Sequence, residues 1–154
     1  MTKLGIKILE DPDKAYDFAL HVVHGRCEEV EEFILKDPSV AFDYARNILR
    51  GRWPEAEPVI LRDPYTCYRY ALFILKGRWP EAEPVIAGDT ISAYYYAKFV
   101  VKGRWPEGEG SIMRDPEWAS NYAINVLHDR WIEAESVILG DVDVSHVYRQ
   151  EFGI

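Results

Sequence analysis

The most constraining feature is a 26-residue period. Asp11, Asp37, Asp63, Asp89, Asp115 and Asp141 stand in register, and so do Arg26, Arg52, Arg78, Arg104 and Arg130. The stretch GRWPEAEPVILRDP beginning at Gly51 returns almost unchanged from Gly77. A fixed period of this size means stacked supersecondary units, each burying its apolar side against its neighbours. The expected fold is all-α: a solenoid of about five helical-hairpin repeats over residues 11–36, 37–62, 63–88, 89–114 and 115–140. Truncated capping helices at 1–10 and 141–154 complete a single domain over 1–154.

Local signals place two helices in each repeat. Asp-Pro pairs such as Asp37-Pro38 and Asp63-Pro64 put a capping carboxylate before a proline at the first helical position. The helix that follows, here helix A, carries apolar residues at helical spacing, for example Cys67, Tyr70, Ala71, Ile74 and Leu75. Small residues recur at Ala15, Ala41, Cys67, Ala93 and Ala119, and again at Ala19, Ala45, Ala71, Ala97 and Ala123. They predict close helix approach, with Phe18, Tyr44, Tyr70, Tyr96 and Tyr122 filling the space between layers. Gly25, Gly51, Gly77 and Gly103 are the expected left-handed residues that end helix A. Pro54, Pro80 and Pro106 then start a shorter helix B, whose inward face carries residues such as Trp53, Ala56 and Ile60, and Pro58 and Pro84 predict a tight or kinked first turn.

Composition excludes several classes. No apolar run reaches the length of a membrane span, and MTKLGIKILED lacks a signal peptide's apolar core, so a cytoplasmic setting is expected. Cys27 and Cys67 fill slots held by Trp and Ala in sibling repeats, which marks packing positions rather than a disulfide framework. The net charge of −8 is concentrated in residues 11–36 and 115–140, at −4 each, while 37–62 and 63–88 are neutral.

No nucleotide-binding, hydrolase or metalloprotease motif occurs, so no enzyme, cofactor or metal is expected. The Glu pairs 55/57, 81/83, 107/109 and 133/135 recur with the arginines, which predicts an Arg–Glu ladder rather than catalytic carboxylates. His21, His24 and Cys27 share metal-ligand spacing, but their slots hold unrelated residues in the other copies.

The copies RGRWPEAEPVILRDP, KGRWPEAEPVIAGDT and KGRWPEGEGSIMRDP, with the helix-A pattern DPxxAYxYA, resemble tandem repeats in proteins of tailed bacteriophages and large-genome viruses. The resemblance covers nearly the whole chain and implies a helical-repeat fold in a viral setting.

Two surfaces qualify as candidate sites. The solvent face of helix A is polar in the first two and the last repeat, but in the third and fourth it carries Tyr65, Arg69, Phe73, Tyr95 and Phe99. Tyrosine, arginine and large apolar groups are what binding hot spots are made of. The leading expectation is therefore a non-catalytic protein-binding module, directed at a host protein in the viral setting that the resemblance implies. The alternative site is a basic edge of Arg50, Arg52, Lys76, Arg78, Lys102 and Arg104, which would suit a nucleic acid or nucleotide. A further alternative is a self-assembling structural protein that covers the aromatic patch with a second copy.

Overall fold

The computed structural model describes residues 10–154, which are all-α: eleven helices and no strand among the described residues. The chain divides into two compact units, residues 1–76 and 77–154. In the first unit the helices are α1 (12–23), α2 (28–34), α3 (38–49), α4 (54–60) and α5 (64–75). In the second they are α6 (83–87), α7 (90–101), α8 (106–112), α9 (116–127), α10 (132–138) and α11 (142–152). Within each unit the A helices (odd-numbered) pack on one another and on the intervening B helices (even-numbered). The expected N-terminal cap lies, but for Glu10, outside the described residues.

Every A helix starts on its aspartate. The Asp37 carboxylate accepts from the Ser39 and Val40 N–H groups at 2.9 and 3.0 Å, and Asp63 accepts from Thr66 N–H at 2.7 Å. Asp11, Asp89, Asp115 and Asp141 cap in the same way. Each such cap is worth about 1 kcal/mol against alanine. Both rows of small residues are fully buried, as are Tyr44, Tyr70, Tyr96 and Tyr122, so this face is sandwiched between layers.

The helix-A endings differ from expectation. The last five residues of each complete A helix, such as Ala45–Leu49 and Ala71–Leu75, form a π-helical turn with i→i+5 hydrogen bonds. The left-handed residue is not the glycine but the one before it: His24, Arg50, Lys76, Lys102 and His128, with φ between 54 and 60°. One carbonyl closes each turn; that of Ala45 accepts from the N–H groups of both Arg50 and Gly51. The wider turn adds a residue to the helix end and shifts the reversal one position toward the N-terminus. It begins at the second small-residue slot each time. In α11 that slot holds Arg149, and the helix stays α to its end at Gly153, φ 68°.

Helix B has the expected tight first turn where Pro58 stands, and keeps it in a copy without that proline. Its first turn is 3₁₀ at Pro54–Ala56 and also at Ile132–Ala134, where Ser136 occupies the slot of Pro58. The break follows the pairing of Trp with Ala three residues on. In α8, Gly108 replaces that Ala, the helix is α from Pro106, and a Cβ on Gly108 would meet Trp105 Cε3 at 2.5 Å. In α2, Cys27 replaces the Trp, Val30 fits, and the helix is again α throughout. An alanine beside the indole needs the tighter turn to clear it.

Candidate protein-binding face

The structural frame of the molecule is a hydrogen-bonded relay present in five copies. Arg78 donates through Nε and Nη2 to Glu83 at 2.7 and 2.8 Å. The Tyr96 hydroxyl, from the A helix of the next repeat, donates to Glu83 at 2.8 Å and accepts from the buried Trp79 N–H at 2.8 Å. The same relay runs through Arg26–Glu31–Tyr44–Cys27, Arg52–Glu57–Tyr70–Trp53, Arg104–Glu109–Tyr122–Trp105 and Arg130–Glu135–Tyr148–Trp131. The tyrosine also serves its own repeat, since the Tyr96 ring lies 4.9 Å from that of Trp105 and Tyr122 lies 5.0 Å from Trp131. These tyrosines are read from the sequence only as fillers. The spacing of 13 residues from Glu to Tyr, repeated five times, was the available signal.

The arginine hydrogen bonds and the Tyr96 hydroxyl hold the Glu83 carboxyl below the usual range, and Arg130 does the same to Glu135. Only the second glutamate of each pair enters the relay. The first stays outside it, as with Glu133, which meets Arg104 of the preceding repeat at 3.7 Å.

Against this frame the solvent face carries the candidate patch. In the first unit Phe73 is 44 % exposed and Tyr65 47 %. Arg46 lies over the Phe73 ring at 4.5 Å, and the ring stands 6.5 Å from the buried Phe42. Arg69 covers Phe42 at 4.2 Å and meets Asp43 at 3.4 Å. Arginine and phenylalanine thus alternate across α3 and α5. The slot pattern of the sequence puts Tyr65, Arg69 and Phe73 on this face, whereas Arg46 and Phe42 belong to other slots and join it only in the fold.

In the second unit Phe99 is 40 % exposed and stacks on Tyr95 with ring centroids 6.0 Å apart. Tyr95 meets Trp118 edge-on at 5.8 Å, and Trp118 also packs on Tyr94 at 5.1 Å. Lys98 stands 5.5 Å from both the Tyr94 and Phe99 rings. Trp118, not among the residues expected on this face, occupies the slot filled by Thr66 and Ser92 in earlier copies.

The basic edge separates into two groups. Arg52, Arg78 and Arg104 are committed to the relay glutamates. Arg50, Lys76 and Lys102 are exposed, sit at the left-handed positions and make no ion pair among the described residues. His21 and His24 are exposed while Cys27 is buried, and Cys27 and Cys67 are both free thiols. Among the described residues no three His, Cys, Asp or Glu side chains converge as a metal would require, and no helix is long and apolar enough to cross a membrane.

Fold and surface define an all-α helical-repeat protein. No protein-family model matches the chain, and neither does any curated protein or solved structure.

Proposed function

We propose that the protein is a non-catalytic, protein-binding helical-repeat module that makes its contacts through exposed aromatic rings on the A helices, Phe73 in the first unit and Phe99 in the second. The observation that carries this reading is the exposure of two large aromatic rings in one slot of consecutive repeats, each supported by a cation and further rings. The same slot holds Asn47 and Asn125 in the flanking repeats, so the repeat fold does not itself require a large ring there. Each ring is propped by neighbours already in place, so docking costs little side-chain entropy. The resemblance to viral repeat proteins favours a host protein in the infected cytoplasm as the partner.

The test is a comparison of parent and Phe73→Ala/Phe99→Ala in affinity capture from host lysate, with sedimentation velocity to detect self-association. We expect the melting temperature to stay within a few degrees and the captured or self-associated species to be lost, a weakening of at least about 2 kcal/mol. Unfolding of the double variant would make the rings core residues and remove the site. Capture unchanged by both substitutions would place the contact elsewhere.

A further inference from the structure

Between the ends of α3 and α5 a cavity of about 210 Å³ is lined by Arg46, Arg50, Gly51, Phe73, Ile74 and Lys76. Three cations converge there without a carboxylate. We propose that this cavity is an oxyanion-binding site, taking a phosphoryl or carboxylate group between the Arg50 and Lys76 side chains, with Arg46 closing it over the Phe73 ring.

Backbone strain supports the reading. A left-handed conformation is unfavourable for any residue with a Cβ, and glycine is the usual solution. Here each of the five left-handed positions carries a basic side chain while glycine, in four of the five copies, stands one residue later. Strain retained in every copy points to a role for the side chain. Attraction to the helix C-terminus is one such role, and in the first copy His24 fulfils it, with Nδ1 at 3.1 Å from the Leu20 carbonyl. Arg50 and Lys76 make no such bond among the described residues, so their charge is left for a ligand.

The neighbouring cavity, one repeat earlier, provides an internal contrast. It is lined by Leu20, His24, Gly25, Asn47, Ile48 and Arg50. His24 is turned to its own helix there, and Asn47 donates to the Tyr16 hydroxyl at 2.8 Å, which leaves Arg50 as the one uncommitted cation of that lining. Side chains must hold the anion, because the Arg50 and Gly51 N–H groups are both taken by the Ala45 carbonyl.

Phosphoryl and carboxylate ligands share this chemistry and are separated by the probe. Amide and side-chain NMR of the full chain would be titrated with inorganic pyrophosphate in one arm and citrate in the other. The expected result is saturable shifts centred on Arg46, Arg50, Phe73 and Lys76, weakening as salt is raised. Stronger binding of pyrophosphate assigns the site to phosphoryl groups; stronger binding of citrate assigns it to carboxylates such as acidic side chains. Arg50→Gly and Lys76→Gly suit the left-handed backbone, so melting temperature should hold or rise while each weakens binding about threefold to fivefold and the pair at least about tenfold. Arg50→Asn and Lys76→Asn, which also tolerate that conformation, should weaken it equally. Binding unchanged in the folded double variants, or shifts spread evenly over Arg62 and Arg114 as well, would overturn the proposal.

Discussion

Removal of a single hydroxyl tests the relay most directly. In Tyr96→Phe the ring remains against Trp105, so no large cavity forms and the loss is that of two hydrogen bonds. The Trp79 N–H, now 2.8 Å from the hydroxyl, loses this buried hydrogen bond. Removing the acceptor from a buried donor costs about 1–3 kcal/mol. Glu83 loses its 2.8 Å contact to Tyr96 but keeps both bonds from Arg78, which adds about 1 kcal/mol. The total is about 2–4 kcal/mol, or a fall in melting temperature of about 5–12 °C for a chain of this length. Glu83→Gln is the control. Its amide oxygen still accepts from Tyr96 and from Arg78 Nε; what it loses is the acceptor of the Arg78 Nη2 bond and the charge facing a half-exposed arginine, a loss that solvent screening keeps below that of Tyr96→Phe. Guanidinium and thermal unfolding, followed together by circular dichroism and tryptophan fluorescence, would rank the two. A Tyr96→Phe loss below about 0.5 kcal/mol, or a larger loss in Glu83→Gln, would show that the carboxylate–arginine pair and not the shared hydroxyl joins the layers.

Two further outcomes follow from the same relay. Burial pushes the Tyr44, Tyr70 and Tyr122 phenols up from 10 to about 12, so the folded state keeps protons that the unfolded chain releases. Their contribution is complete below about pH 10 and declines between about pH 10 and 12 at about 1.4 kcal/mol per pH unit for each tyrosine; melting curves run alongside tyrosinate absorbance at 295 nm should show stability falling before the buried phenols ionise. Deletion of residues 89–114 would bring Tyr122 to the place of Tyr96 at the same distance in sequence from Glu83, and should give a shorter, cooperatively unfolding helical protein. Deletion of 89–101 alone should not, and equal behaviour of the two by circular dichroism would refute the repeat boundaries.

The features legible in the sequence are those with a strict local cause. An aspartate before proline caps a helix wherever it stands, and small residues recurring every 26 positions are buried in every copy. The helix endings were not legible, because a π turn differs from an α turn by one residue and the apolar pattern over twelve residues does not distinguish them. Glycine beside each turn pointed to itself as the left-handed residue, whereas the strain falls on Arg50 and Lys76. The tight first turn of helix B is legible from Pro58 and Pro84, but the contact that accompanies it where Ser136 replaces the proline, indole against Ala, emerges only from comparison with the copies that carry Gly108 and Cys27. At the candidate face the exposed rings are legible as departures from the residues that fill the same slot in other copies. Their supports, Phe42, Arg46 and Trp118, were missed because each belongs to a different slot of a neighbouring helix.

The relay also bears on how the chain finds its own fold. All five copies offer the same chemistry, so a tyrosine hydroxyl gains nothing by meeting its own glutamate and not that of another repeat, or of a second molecule. What selects the partner is the tether: 13 residues separate each glutamate from its tyrosine, and 17 separate each hydroxyl from the N–H it receives. Short loops close first, and a fold made of such contacts assembles quickly and in order. Above the concentration at which a neighbouring molecule competes with that tether, the same identity of parts favours exchange of whole repeats between chains, and fidelity becomes a matter of dilution.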